Sequence, residues 1–146
     1  MTKELKLHND LSEVELLGQW CETVGEELEL PMPAVFQLNL ALEEAVTNVM
    51  NYAYPGQEGM PILLTLETID GNTDILFTLT DEGIEFNPLE KVEAPDLSLS
   101  AEERPIGGLG VFLIKELMKS VEYHRENGKN ILTMTYSPNQ EISATL

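Results

Sequence analysis

The alternation of apolar and polar residues along the chain predicts five strands and three helices. Five short segments have apolar residues at every second position, as half-buried strands do: residues 3–8, 62–69, 75–80, 121–125 and 131–136. Three longer segments repeat apolar residues at spacings of three and four, as amphipathic helices do: residues 14–24, 33–54 and 110–118. Turn-forming residues at 70–72 and 127–130 join two pairs of strands into hairpins.

The segments between these elements indicate one domain with one long loop. Residues 82–106 lose periodicity and contain three prolines, so we expect a loop there, and we expect a frayed tail at 138–146. A chain of 146 residues with 42% hydrophobic content has the usual size of a single domain, residues 1–146. Strands in hairpins and helices in separate runs favour the α+β class, with the helices on one face of a sheet.

The charge balance restricts the partners. With 26 acidic and 8 basic side chains the net charge is −18, which argues against direct nucleic-acid binding because such binding depends on Lys and Arg. An acidic surface favours encounter with a basic protein, although it also promotes solubility. Cys21 is the single cysteine, and no run of about 18 apolar residues occurs. We therefore expect a cytoplasmic protein without disulfides or membrane spans.

The second predicted helix carries polar residues that helix propensity does not explain. Glu44 and Asn48 lie one turn apart on one face, and Asn costs about 0.5 kcal/mol relative to Ala inside a helix. A carboxylate there could accept a proton, and an amide oxygen could bind a hard cation such as Mg²⁺. The same spacing also fits a solvated helix face without a chemical role.

The end of the third predicted strand is a second candidate for ligand contact. Asp81 continues the apolar side of this strand, so its partly buried carboxylate needs a donor, such as the exocyclic amine of a base. Gly83 would let a flat ring approach the backbone. An ordinary turn at Asp81 and Gly83 would explain the same residues.

A glycine-rich turn precedes the third predicted helix. Gly107, Gly108, Leu109 and Gly110 would let backbone amides converge on an anion, most obviously phosphate, at the positive end of the helix dipole. The spacing fits neither the dinucleotide-binding pattern nor the P-loop, and a flexible hinge is the alternative. Arg104 could reach a phosphate or pair with a neighbouring glutamate.

Taken together, these segments resemble the nucleotide-binding boxes of the GHKL ATPase superfamily. Three runs carry the resemblance in the same order: Leu-Glu-Glu-Ala-Val-Thr-Asn at 42–48, Asp-Glu-Gly-Ile-Glu-Phe-Asn-Pro at 81–88 and Gly-Gly-Leu-Gly-Val-Phe-Leu-Ile at 107–114. Within the superfamily, the chain looks most like bacterial anti-sigma-factor serine kinases. The resemblance implies a two-layer α/β sandwich in which helices cover one face of a mixed sheet.

The resemblance also implies the cofactors, ATP and Mg²⁺, and a role for each candidate residue. Glu44 would be the general base toward a serine hydroxyl, and Asn48 would be the Mg²⁺ ligand. Asp81 would bind the adenine amino group, and Gly83 would leave room for the ring.

The phosphate end departs from the family pattern. The resemblance implies that backbone amides at 107–110 bind the phosphates beneath a mobile lid at 85–106. Other members often have an arginine closer to the glycine turn than Arg104, and often a histidine where Tyr52 stands. Arg104 is the candidate for a phosphate-binding cation in this chain.

Anti-sigma kinases have two protein partners, and the resemblance implies both. One is a sigma factor, and the other is an antagonist that carries the phosphorylated serine and takes over when the sigma factor is released. We therefore expect a regulatory serine-protein kinase that binds a sigma factor or comparable basic protein, and the family is consistent with a homodimer. Two other functions fit the residues: a partner-switching module that binds ATP without phosphoryl transfer, and a domain that binds no nucleotide.

Overall fold

The described part of the chain, residues 1–69, 73–91 and 108–138 of a computed structural model, forms three α-helices and five β-strands. The elements are, in chain order, β1 (Thr2–His8), a 3₁₀ helix (Leu11–Glu13), α1 (Val14–Glu27), α2 (Met32–Tyr52), β2 (Pro61–Thr68), β3 (Ile75–Asp81), a second 3₁₀ helix (Pro88–Lys91), α3 (Gly108–Leu117), β4 (Ser120–Glu126) and β5 (Lys129–Tyr136). Every predicted helix and strand is present. The predicted turn at 70–72, most of the expected lid and the tail from 139 onward lie outside the described residues.

The five described strands form one sheet in the order β1-β2-β3-β5-β4, and each neighbouring pair is antiparallel. The α+β class and the two-layer arrangement are confirmed, whereas the expected mixed sheet is wrong. The crossover through α3 does make β3 and β4 run in the same direction. The β4–β5 hairpin inserts β5 between them, however, so neither strand has a parallel neighbour among the described strands.

One face of the sheet carries the core, and the helices cover it. Side chains of β2, β3 and β5 alternate between buried and more exposed positions, as expected for strands with one covered face. α2 packs against both α1 and α3 and is therefore the central helix. Phe77 on β3 meets Trp20 of α1 edge to face, with ring centroids 6.3 Å apart. None of the helices in the described ranges combines the length and hydropathy needed to span a bilayer.

α2 begins and ends where the sequence interrupts helical geometry. Pro31 is extended just before the helix, and Pro33 lies in the first turn, where its missing N–H removes no helical hydrogen bond. At the other end, the N–H of Ala53 donates to the carbonyl oxygen of Val49 at 3.0 Å, and Gly56 then adopts a φ of 72°. The helix therefore ends close to the predicted boundary.

The buried stripe of α2 differs from the expected one at its last turn. The spacing of apolar residues at three and four puts Val49 and Tyr52 on one stripe and predicts that Tyr52 is buried. In the structure Tyr52 is 36% exposed, and its ring centroid lies 5.5 Å from that of Phe86. The stripe continues at a spacing of four to Ala53, which is fully buried, rather than at a spacing of three. The placement of Tyr52 in the core was therefore wrong.

Candidate functional site

Three distant segments of the chain approach one end of the sheet. In the strand registers Asp81 lies opposite Ile62 on β2 and Asn130 on β5, so the end of β3 meets the first residues of its two neighbours there. The end of α2 reaches the same place, because the N–H of Ile84 donates to the carbonyl oxygen of Ala53 at 2.8 Å. The C-terminal part of α2 and the loop after β3 are thus joined.

The first turn of α3 points toward the same end of the sheet. α3 is followed by Ser120, which pairs with Thr135, and Thr135 pairs in turn with Leu76 near the start of β3. α3 therefore finishes at the opposite end of the sheet from Asp81. Its 10 residues extend over about 15 Å and pack along α2, so its N-terminus lies toward the Asp81 end.

Asn48 is buried in the C-terminal half of α2 with an unsatisfied amide. Only 5% of the residue is exposed, and its Nδ2 has no hydrogen-bond partner among the described residues. A buried polar group without a partner costs about 1–3 kcal/mol, so folding alone does not explain the choice of Asn. Asn48 is thus not on a solvated helix face, and a polar ligand would supply what its amide lacks.

Glu44 lies one turn before Asn48 and is half-buried. Burial raises the pKa of its carboxyl, and the neighbouring Glu43 carboxylate raises this pKa further. Within the described ranges, no group donates a hydrogen bond to the Glu44 carboxylate. A carboxyl in this state accepts a proton closer to neutral pH than an exposed glutamate does, which suits a general base.

Asp81 is buried at the end of β3, as the alternation of the strand predicts. The residue is 2% exposed, and its Oδ1 accepts hydrogen bonds from the Gly83 N–H at 2.9 Å and from Asn130 Nδ2 at 2.8 Å. Burial raises the pKa of Asp81, whereas these two hydrogen bonds and the charge of Arg125 lower it. The hydrogen-bond donors that the buried Asp81 carboxylate was expected to need are therefore partly supplied by the protein itself.

Gly83 lies in close contact with the end of α2. A Cβ atom at this position would overlap the carbonyl oxygen of Ala53 and lie 2.7 Å from its carbonyl carbon. Packing of the loop against the helix therefore requires glycine here. This requirement is separate from the predicted passage of a flat ring.

The predicted glycine turn is only partly described. Gly108, Leu109 and Gly110 form the first turn of α3, whereas Gly107 and Arg104 lie outside the described residues. The first N–H groups of a helix have no intrahelical acceptor and lie at the positive end of its dipole. The start of α3 therefore directs N–H donors toward the Asp81 end, which suits an anion.

The side chains present fit a magnesium ion only in combination with phosphate oxygens. No three His, Cys, Asp or Glu side chains converge anywhere in the described ranges. Mg²⁺ is often bound by one or two protein oxygens together with substrate phosphates. Asn48 fits as such a protein ligand, because its Nδ2 has no partner among the described residues to hold it, and rotation of the amide would present the oxygen in its place.

Sequence reasoning missed the polar side chains of β5 and β4 that lie near Asp81. The Tyr123 hydroxyl donates to Asn130 Oδ1 at 2.6 Å, and Arg125 Nη1 donates to the carbonyl oxygen of Gly83 at 2.9 Å. We had predicted Asn130 only as part of a turn. The available signal was its position, because Asn130 continues the buried face of β5 and is the polar residue on that face.

The family of the chain follows from comparison with known proteins. The chain belongs to the histidine kinase-like ATPase domain family, whose model matches residues 7–136. This range contains all three helices and the three segments that approach one another. The superfamily expected from the sequence runs is therefore confirmed.

Serine-protein kinases are among the relatives of the chain. It is 29% identical over 112 residues to the serine-protein kinase RsbW of Listeria monocytogenes, which covers 75% of this chain and 70% of that protein. It is also 23% identical over 140 residues to the serine-protein kinase RsbW of Bacillus thuringiensis, which covers 95% of this chain and 87% of that protein.

A solved structure has the same fold. The RsbU and RsbW domains of a Mycobacterium tuberculosis protein match with a TM-score of 0.65 at 12% identity. The match covers 94% of this chain but only 32% of the solved one, which is therefore about three times as long. At this identity the likeness concerns the fold alone.

Proposed function

We propose that this chain is an ATP-dependent serine-protein kinase that regulates a sigma factor or comparable basic protein by partner switching. The observation that carries this function is that the end of α2, the Asp81 loop and the first turn of α3 lie at one end of the sheet, with Asn48 and Glu44 in the C-terminal half of α2. Membership of an ATPase family and the likeness to RsbW serine-protein kinases support it. The net charge of −18 suits a basic partner.

The base of ATP would bind at the end of β3. In this assignment Asp81 accepts a hydrogen bond from the exocyclic amine of adenine, and Gly83 keeps the loop close to α2 beside the ring. The burial of Asp81 supports this role, because a ligand donor would replace the water that the carboxylate has lost.

The phosphates would bind between α2 and the start of α3. We assign the N–H groups of Gly108, Leu109 and Gly110 to the phosphates, and Asn48 to the Mg²⁺ ion that neutralises them. Gly107 and Arg104 would complete this end, and residues 85–106 would close over it as a lid that excludes water. A metal ion is needed here because a chain of net charge −18 repels a polyanion.

Glu44 would carry the proton transfer. The serine hydroxyl of the antagonist loses its proton to the Glu44 carboxylate while its oxygen bonds to the terminal phosphorus of ATP. The bond from this phosphorus to ADP breaks, so the phosphoryl group ends on serine and the proton on Glu44. The raised pKa of Glu44 supports this assignment, because it makes the carboxylate a better proton acceptor.

Transfer of labelled phosphate tests the kinase directly. The protein is incubated with labelled ATP, Mg²⁺ and a candidate antagonist that bears a serine. Glu44→Gln should lower transfer by about 100-fold or more and leave MgATP affinity unchanged, because an amide cannot accept the proton. Glu43→Gln is the matched control. It removes the same charge one residue away and so lowers the Glu44 pKa somewhat, but it leaves the Glu44 carboxylate in place and should retain most of the transfer.

Two results would count against the kinase. Wild-type protein that binds MgATP but transfers no phosphate to the antagonist would contradict phosphoryl transfer. Equal losses in Glu44→Gln and Glu43→Gln would contradict the assignment of the general base to Glu44.

A partner switch that binds ATP without phosphoryl transfer is the second candidate. The observation in its favour is that Arg125 is bonded to the Gly83 carbonyl and to Asn130, so this cation is engaged at the base end rather than with phosphates. Under this function Glu44→Gln would leave ATP-dependent partner exchange unchanged, whereas Asp81→Ala would abolish it. Partner exchange and phosphate transfer, measured on both variants, separate the two candidates.

The proposed activity belongs in the cytoplasm, because sigma factors and ATP are found there. We also propose a homodimer, as the family resemblance implies. Sedimentation velocity of the purified chain measures this state, and a purely monomeric boundary at the concentration used for transfer would contradict it.

A further inference from the structure

The side chain of Asn130 uses both ends of its amide to hold the loop after β3. Asn130 is 4% exposed, and its Nδ2 donates to Asp81 Oδ1 at 2.8 Å and to the carbonyl oxygen of Ile84 at 2.7 Å. Its Oδ1 accepts from the Tyr123 hydroxyl at 2.6 Å and from the N–H of Phe86 at 3.1 Å. One buried amide thus connects β3, β4 and the loop that follows Asp81.

Arg125 strengthens this arrangement from β4. Its Nη1 lies 2.9 Å from the Gly83 carbonyl oxygen and 3.1 Å from Asn130 Oδ1, and it donates to both. Hydrogen bonds from a charged donor are about twice as strong as neutral ones. The conformation of the loop from Asp81 to Phe86 is therefore set by side chains of β5 and β4.

The two oxygens of Asp81 are unequal as a result. Oδ1 receives hydrogen bonds from Gly83 N–H and Asn130 Nδ2, whereas no group in the described ranges donates to Oδ2. A carboxylate held through one oxygen presents the other in a fixed direction. This oxygen is an acceptor and cannot donate while the group is ionised.

We propose that Asn130 is a positioning residue of the nucleotide site, which holds Asp81 through Oδ1 so that Oδ2 accepts a hydrogen bond from the exocyclic amine of adenine. This inference rests on the proposed function and adds a basis for selectivity. Guanine carries a carbonyl oxygen where adenine carries the amine, so a fixed acceptor at Oδ2 would oppose it. Asn130 would contribute without touching the base.

Asn130 also acts on the charge of Asp81. Burial raises the pKa of this carboxyl, and the Asn130 hydrogen bond is the largest influence that lowers it, ahead of Gly83 N–H and Arg125. Among the described residues, the titratable groups that interact electrostatically with Asp81 are Tyr54, Tyr123 and Arg125, and Glu82 is its exposed neighbour in sequence. Loss of the Asn130 donors should let Asp81 take up a proton at a higher pH and stop acting as a pure acceptor.

Asn130→Asp is the sharpest variant for a test in the full chain. It retains the size of the side chain and an oxygen for Tyr123 and Phe86, but it places an acceptor against Asp81. MgATP and MgGTP affinities are measured by calorimetry between about pH 5 and about pH 8. We expect the MgATP affinity of this variant at neutral pH to be lower by about tenfold or more. As the pH is lowered, its affinity should begin to decline at a higher pH than that of wild type. The variant should also lose the preference for MgATP over MgGTP.

A second variant and a control keep the test independent of folding. Arg125→Gln changes a less buried residue and should shift affinity and pH dependence in the same direction by a smaller factor. Lys119→Met is the control, because Lys119 pairs with Asp74 at 2.7 Å at the opposite end of β3. It alters another carboxylate beside the same strand and should leave MgATP affinity, pH dependence and base preference unchanged.

The outcomes separate this inference from the proposed function. Wild type that fails to bind MgATP would overturn the nucleotide site itself, and the role of Asn130 with it. Wild type that binds MgATP, with Asn130→Asp and Arg125→Gln unchanged in affinity and pH dependence, would overturn only the role of Asn130. A loss of equal size at every pH, with the base preference intact, would show a merely structural residue and overturn the inference as well.

Discussion

Asp81 is a residue whose burial disfavours its charged form. The pKa of its carboxyl is raised in the folded chain from an ordinary value of 3.8, mainly by burial. The stability that this raised pKa contributes is therefore fully present below the pKa of the unfolded chain, and it is lost as the pH rises through the pKa of the folded chain. At neutral pH the desolvated charge therefore lowers the stability of the folded chain, as expected of a residue that is kept for binding.

Asp81→Asn should consequently stabilise the protein without ligand, and more so as the pH rises from about 4 to about 7. Asn retains an oxygen that accepts from Gly83 N–H and Asn130, but it carries no charge to desolvate. Urea unfolding of wild type and variant at both pH values measures the two free energies of unfolding. A difference between the proteins that does not change with pH would contradict the raised pKa of Asp81.

Gly83 and Gly18 should respond differently to the same substitution. Gly83→Ala should destabilise the chain by about 1–3 kcal/mol, because the new Cβ would overlap the backbone of Ala53, which cannot move without α2. Gly18→Ala should stabilise it by about 0.5–1 kcal/mol, because in α1 the nearest atom to the new Cβ is 3.9 Å away. Thermal and urea unfolding test both, and a neutral Gly83→Ala would contradict the close contact.

At the scale of elements, the hydroxyl of Tyr54 joins three of them just after the end of α2. It donates to the carbonyl oxygen of Pro61 at 2.6 Å, where β2 begins, and accepts from the N–H of Glu82 at 2.7 Å, where β3 has ended. The residue is almost completely buried, so water cannot easily replace these bonds. The arrangement of the candidate site therefore depends partly on one hydroxyl.

Tyr54→Phe should lower the free energy of unfolding by about 1–3 kcal/mol, because it removes two partly buried hydrogen bonds of about 0.5–1.5 kcal/mol each. Tyr136→Phe is the matched control, since among the described residues its hydroxyl donates to one side-chain oxygen, Gln37 Oε1, at 3.1 Å, and to no backbone group. Tyr136→Phe should lower the free energy of unfolding less than Tyr54→Phe does. If urea unfolding gives equal losses of unfolding free energy in both variants, the hydrogen bonds of Tyr54 to backbone groups do not stabilise the fold more than that of Tyr136, which would contradict the prediction.

The elements themselves were predictable because their signals are local. Alternation of apolar residues identified all five strands, and the spacing of three and four identified α2. The same rules failed where tertiary contacts decide. At the end of α2 both Tyr52 and Ala53 continue the stripe, and only packing against the loop after β3 places Ala53 inside.

At the scale of the whole molecule, the site depends on strand order, which no local pattern contains. Asp81 and Asn130 are 49 residues apart in sequence, yet β5 lies beside β3 and places them opposite each other. The order of the three sequence runs indicated a common site through family resemblance alone. The Gly83 N–H that donates to Asp81 is local, but the Asn130 donor depends on a strand pairing that inserts β5 between β3 and β4, which no local pattern predicts.

The net charge of −18 makes nucleotide binding by this chain a demanding test of the site. A polyanion will bind only if local donors and a metal ion outweigh the repulsion of the surface. The start of α3 would supply such donors, and Asn48, whose Nδ2 has no partner in the described part of the chain, would contribute an amide oxygen to the metal ion.

Calorimetric titration of the whole chain with ATP and Mg²⁺ tests most directly whether one nucleotide site is formed by α2, the end of β3 and the start of α3. We predict saturable binding of one nucleotide per chain, which is lost in Asp81→Ala and requires Mg²⁺. Absence of binding in wild type, or binding of equal affinity in Asp81→Ala, would contradict it.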